Sequence, residues 1–150
     1  PFTHFKMIHL HTENSMFELK NKTLLKKWIV EKKKRKKRKA GEINFIFCSD
    51  AYLLSINQQY LKHDTYTDII TFDYTKEEKE KPLSGDIFIS VERVKENAET
   101  YSKTVENELH RVIIHGILHL AGYKDKTKAD KEEMTKQENL YLKKRKFITA

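Results

Sequence analysis

The chain has 150 residues, a net charge of +8, 38% hydrophobic residues and 35% charged residues. The apolar residues cluster in periodic segments, which excludes a disordered chain and predicts one domain that spans residues 1–150. A single cysteine excludes an intramolecular disulfide framework, and no apolar stretch approaches the roughly eighteen residues that span a bilayer. We therefore expect a cytoplasmic protein that does not cross a membrane.

Hydrophobic periodicity predicts strands and helices along the whole chain. Alternating apolar residues indicate a strand, as at Ile43, Phe45 and Phe47, and apolar spacings of three and four indicate helices. Ser49 or Asp50 precedes a helical stretch and has the character of an N-cap. The predicted elements, in chain order, are a strand at 2–10, a helix from Asn21 or Thr23 into the basic run 32–39, a strand at 43–47, a helix from 49 or 50 to 60, strands at 67–74 and 87–91, and helices at 91–101, 105–121 and 129–143.

This order of elements predicts an α+β fold, an α/β sandwich with a single mixed sheet of about four strands packed with about five helices. The short charged connection after the third strand predicts that the last two strands pair antiparallel. The spacing of Trp28, Phe45 and Phe47 matches an inward face, so we expect these aromatics in the core.

The stretch HGILHLAGYKD, residues 115–125, has the residue types of a metal site. His115 and His119 are four residues apart, about one helical turn, and therefore share a helix face inside a largely apolar run. Buried histidines need a polar partner or a metal. Gly122 can end the helix, so that Asp125 returns as a third, oxygen ligand.

Two histidines and one carboxylate leave a coordination position open, as in catalytic zinc sites, although the same ligands can hold iron. The alternative interpretation is a pair of hydrogen-bonded core histidines. Gly116 occupies the place of the glutamate base in an HExxH motif, which excludes a thermolysin-like protease. His110 lies about 140° round the helix from His115 and should miss the metal.

These residues resemble a known family. HGILHLAGYKD is similar to the signature HGxLHLxGYDH of the YbeY family of metal-dependent endoribonucleases, and INQQYLKHDTYTDIITFDY (56–74) and LSGDIFIS (83–90) resemble the same family in the same order. The resemblance implies a single-strand-acting endoribonuclease of ribosomal RNA maturation and ribosome quality control. It also implies one divalent metal ion, with zinc expected, and RNA, specifically ribosomal RNA or the small ribosomal subunit, as the partner.

Two positions depart from the family pattern. Asp125 stands where the family usually has a third histidine ligand, and aspartate can bind the same metal through oxygen. Leu61 stands where the family commonly has an arginine implicated in substrate handling, so Lys62 or His63 is the candidate replacement.

Further candidate residues follow from charge and position. The basic run, including Lys34, Arg35 and Arg38, can bind RNA phosphates, or it can be a solvated helix end that serves solubility. Asp68 and Asp86 flank the two central strands and can orient a ligand histidine from outside the metal shell, or they can cap strand ends.

The metal would polarise a phosphate oxygen and activate water, and the attacking group is either water or the RNA 2′-OH. Two other function classes stay open from the sequence. One is a ribosome- or RNA-associated binding factor whose metal is structural, and the other is a metal-dependent hydrolase of a non-RNA substrate.

Overall fold

The structure is a computed structural model that describes residues 8–13, 17–30, 40–63, 65–75 and 82–145. The predicted order of elements is confirmed. The elements are β1 (Ile8–Glu13), α1 (Lys22–Val30), β2 (Ala40–Cys48), α2 (Asp50–Leu61), β3 (Ile69–Asp73), β4 (Leu83–Ser90), α3 (Val91–Thr100), α4 (Val105–Leu120) and α5 (Lys128–Lys143).

The described strands form one mixed sheet in the order β1-β2-β4-β3, which confirms the predicted α+β class. β1 pairs parallel with β2, and β2 pairs parallel with β4. β3 pairs antiparallel with β4, as the short connection between them predicts, with Phe72 opposite Asp86 and Ile70 opposite Phe88. In this order β2 and β4 are the central strands, and β1 and β3 are the edge strands.

Helices cover both faces of the sheet. Successive side chains of a strand point to opposite faces, so Ile87 and Phe88 of β4 contact different helices. Ile87 packs against Gly116 of α4, in the core that also holds residues of α1, α3 and α5. Phe88 packs with Tyr52 of α2 in a second, smaller cluster. The histidine-bearing helix and α2 consequently lie on opposite faces.

A local hydrogen bond explains where α2 begins. The side chain of Ser49 accepts a hydrogen bond from Tyr52 N at 3.0 Å, which confirms one of the two predicted caps of α2. Trp28, Phe45 and Phe47 are buried as predicted.

Other boundaries differ from the prediction. β4 begins four residues before the predicted Ile87, because its first residues pair with both β2 and β3. β1 extends to Glu13, past the predicted end at residue 10, because its last three residues pair with β2. α1 ends at Val30, and the basic run 32–39 lies outside the described residues. Within the described ranges, no helix has the length and apolar character needed to cross a membrane.

Candidate metal centre

Helix α4 and the turn after it bring the three predicted ligands together. Thr104 caps the start of α4, and Ala121 caps its end. Gly122 follows with a φ of +108°, which favours glycine, and its N–H donates to His119 O, while Tyr123 N–H donates to Leu118 O. This pair of bonds turns the chain back over the last turn of α4. Asp125 reaches the histidines for that reason.

The geometry of the three side chains suits a metal ion. Asp125 Oδ2 lies 3.2 Å from His119 Nε2 and 3.5 Å from His115 Nε2. One possible ligand atom from each residue lies within 4.8 Å of the other two. Ligand atoms about 2 Å from a tetrahedral zinc ion lie about 3.3 Å apart, so the two measured distances agree with a shared zinc ion. Two imidazole nitrogens and one carboxylate oxygen also match the donor types that zinc accepts.

Glu138 of α5 contacts the candidate metal centre and was not predicted from the sequence. Its Oε2 lies 2.6 Å from Nδ1 of His115, and its Oε1 accepts a hydrogen bond of 2.8 Å from Arg111. The Glu138 side chain is only 8% exposed. With Nδ1 bonded to this carboxylate, His115 presents Nε2 toward Asp125. A carboxylate behind a ligand histidine is the usual support of a metal-binding imidazole.

A signal for Glu138 was present in the sequence. Met134, Glu138 and Tyr141 have the spacing of one helix face, and Met134 is the apolar residue that marks the buried side of α5. An acid within such a stripe is expected to have a buried partner.

The environment of His115 changes its proton affinity. Burial acts to lower its pKa, but the hydrogen bond with Glu138 and the negative charges of Glu138, Asp125 and Asp68 outweigh this effect and raise the pKa. These acids favour positive charge at the site, whether a proton or a metal ion carries it.

The candidate centre opens onto a cleft of about 350 Å³ between α4 and α5. His115 and Asp125 line it, and Arg111 lies one helical turn before His115. Asp68, one of the predicted supporting carboxylates, also lines this cleft. Its side chain has no hydrogen bond to either histidine among the described contacts, and its backbone oxygen accepts a bond from Ser90 N at 2.9 Å.

The structure does not bring Asp86 to the histidines, which corrects the predicted supporting role. Asp86 shares the α2 face of the sheet with Phe88, whereas α4 packs on the other face. Its carboxylate accepts hydrogen bonds from Asn44 at 3.0 Å and from the Tyr74 hydroxyl at 2.7 Å. The second bond raises the pKa of Tyr74 to about 12.

Lys62 and His63, two of the residues predicted to contact RNA, are not part of the cleft lining. Lys62 and His63 are exposed at the end of α2, where both backbone N–H groups donate to Asn57 O. Lys34, Arg35 and Arg38 lie outside the described residues.

His110 points away from the metal centre, as its helical angle predicts. It is 1% exposed, and its Nδ1 accepts a hydrogen bond of 2.8 Å from Arg145. Burial and the positive charge of Arg145 lower the pKa of His110 to about 4, so its ring is neutral near neutral pH.

Comparison with known proteins gives a consistent result. The sequence model of the family described as endoribonuclease YbeY matches residues 7–146. A protein of that name from Cytophaga hutchinsonii is 47% identical over 140 residues, which cover 93% of this chain and 96% of the relative. Another from Parabacteroides distasonis is 54% identical over 105 residues, 70% of this chain and 72% of the relative.

A solved structure supports the same assignment. The solution structure of a Thermotoga maritima protein is similar with a TM-score of 0.60 and 31% sequence identity, and the match covers 91% of this chain and 87% of that one. The extent of the family match and the identity to these relatives confirm the resemblance first indicated by residues 115–125. The chain belongs to the endoribonuclease YbeY family.

Proposed function

We propose that this protein is a metal-dependent endoribonuclease that cleaves single-stranded RNA in ribosomal RNA maturation and ribosome quality control. The observation that supports this most directly is the cluster of His115, His119 and Asp125 at one end of an open cleft. The name endoribonuclease, which the curated relatives have, supports RNA as the substrate. Ribosomal RNA or the small ribosomal subunit is the proposed partner, and the cytoplasm the proposed compartment.

We assign one divalent ion, zinc, to the three side chains. When bound, zinc supplies Lewis-acid chemistry: it polarises a phosphate oxygen and lowers the pKa of water. The chain's own residues provide the orientation. Glu138 holds His115 Nδ1 at 2.6 Å, and the turn at Gly122 fixes Asp125 beside both imidazoles.

Either water or the RNA 2′-OH can act as the nucleophile at this site. The products separate the two routes, because attack by the 2′-OH leaves a 2′,3′-cyclic phosphate. For RNA binding we assign supporting roles to Lys62 and His63 and to the basic residues Lys34, Arg35 and Arg38. The positive charge of the lysines and arginines among them favours phosphate contacts.

The test is cleavage of a single-stranded RNA and of ribosomal RNA by metal-stripped protein with and without added zinc. We expect cleavage only with metal, and we expect cleavage by His119→Ala and Asp125→Ala to fall to the level of the metal-stripped protein. His11→Ala, which removes an exposed imidazole on β1, serves as the matched control and should retain activity. Bound metal is measured in each variant. Retention of both metal and cleavage in His119→Ala and Asp125→Ala would show that the site is wrongly assigned.

A further inference from the structure

Arg111 is held in a fixed position beside the candidate metal centre. It precedes His115 by four residues on α4, so both side chains lie on the same helix face. Its Nη1 donates to Glu138 Oε1 at 2.8 Å, and its Nη2 donates to Asn139 Oδ1 at 2.7 Å. Both partners belong to α5. Two anchors on one planar guanidinium fix its orientation as well as its position.

The guanidinium of Arg111 has further N–H donors that can bind a ligand. Arginine has five N–H groups, and the described contacts of Arg111 use two of them. The side chain is 32% exposed and lines the cleft that also contains His115 and Asp125. A planar, permanently charged group of this kind suits recognition of phosphate oxygens.

The charge of the cleft shows why a fixed cation matters there. Its lining has more acidic than basic side chains. The acids are Asp68, Glu108, Asp125 and Glu138, and the cations are Arg111 and Lys131. Such a lining repels an RNA phosphate unless positive charge is placed close to the point of binding. Lys131 lies on an exposed stretch of α5 and has no described ion pair, whereas Arg111 is oriented by two hydrogen bonds.

We propose that Arg111 binds a phosphate group of the RNA substrate next to the metal ion, and that Asn139 positions its guanidinium for that contact. This inference rests on the proposed RNA cleavage and adds a specific substrate contact to it. Glu138 then links the two parts of the site, since one carboxylate contacts both the histidine ligand and the phosphate-binding arginine.

The decisive variants are Arg111→Gln, Arg111→Lys and Asn139→Ala. Lys136→Gln is the charge-matched control, because Lys136 is an exposed cation of α5 outside the cleft lining. We expect kcat/KM for single-stranded RNA to fall about 10- to 100-fold in Arg111→Gln, the range for loss of charged hydrogen bonds. Arg111→Lys should recover part of it, and Lys136→Gln should stay within about twofold of wild type.

Asn139→Ala tests the positioning role, because it changes no charge. We expect a smaller loss of kcat/KM, about three- to tenfold, with zinc affinity unchanged in a chelator competition. If Arg111 acts only through its charge, Asn139→Ala will have the kcat/KM of wild type. That result would overturn the positioning role of Asn139. An Arg111→Gln variant equal to Lys136→Gln would overturn the whole inference.

Binding of a non-cleavable RNA with 2′-O-methyl riboses to the zinc-loaded protein provides a readout that is independent of cleavage. We expect its affinity to fall in Arg111→Gln and not in Lys136→Gln. If wild type fails to cleave any RNA, the proposed function fails, and this binding difference still decides the role of Arg111. Thermal unfolding of each variant verifies that it is folded.

Discussion

His115 Nδ1 donates a hydrogen bond of 2.6 Å to Glu138, which follows it by 23 residues in the sequence. The carboxylate is buried and also accepts a bond from Arg111, so its own position is fixed by α4. This arrangement settles which ring nitrogen of His115 faces Asp125. The second nitrogen, Nε2, is therefore available for a metal ion without rotation of the ring.

Glu138→Gln should weaken zinc binding about 10- to 100-fold, the usual effect of losing a carboxylate behind a ligand histidine. Glutamine keeps the size of the side chain but removes the negative charge that supports the imidazole. Competition with a chromogenic chelator measures the affinity. Glu133→Gln, on the exposed side of the same helix, is the control and should bind zinc as wild type does. Equal affinities of the two variants would contradict a supporting role for Glu138.

The sequence was sufficient to predict the order of elements and the histidine pair, because both follow from local spacing. Alternation and helical periodicity identify each element independently of its partners. Four residues between His115 and His119 place both rings on one helix face, and Gly122 signals where the helix ends. Each of these features depends on fewer than about fifteen consecutive residues.

Contacts between distant elements could not be predicted in the same way. Glu138 reaches His115 only because α5 packs on α4, and nothing in the local pattern specifies that packing. Asp86 lies away from the histidines for a related reason. Its position beside a central strand follows from the sequence, but which face of the sheet α4 covers is decided by tertiary packing.

Gly85→Ala should destabilise the fold by about 2–3 kcal/mol, the upper part of the range for an overpacked site. A Cβ atom at this position would collide with the backbone oxygen of Phe72 and would lie 3.3 Å from Leu120 Cδ2. A backbone atom within a paired strand cannot move away without separating β3 from β4. Urea unfolding measures the change. Ser84→Ala, one residue earlier on β4, should cost less than about 1 kcal/mol, and a similar loss in both variants would rule out the steric explanation.

His110 should make the protein less stable as the pH falls from about 6.5 to about 4. The unfolded chain takes up a proton near the usual histidine pKa of about 6.5, whereas the folded ring resists protonation until about 4. The unfolded state therefore binds more protons in this window, so the contribution of His110 to stability is complete above the window, falls as the pH drops through it and changes no further below it. The loss amounts to at most about 3 kcal/mol.

His110→Asn provides the test, because the asparagine oxygen can still accept the hydrogen bond from Arg145. Urea unfolding of metal-free protein between pH 4 and pH 8 gives the free energy of unfolding for both proteins. We expect the difference between wild type and variant to shrink as the pH falls through this window. A difference that stays constant with pH would mean that His110 does not contribute to acid sensitivity.

Replacement of Lys34, Arg35 and Arg38 by glutamine should reduce the salt dependence of RNA binding. Each phosphate contact with a single strand contributes about 0.7 to the slope of log K against log salt concentration, so three lost contacts should reduce the slope by about 2. The control replaces three exposed lysines elsewhere, with the same loss of net charge: Lys95, Lys103 and Lys136. If the run serves only solubility, both triple variants will show the same slope. A reduction confined to the first variant would identify the basic run as an RNA-binding segment.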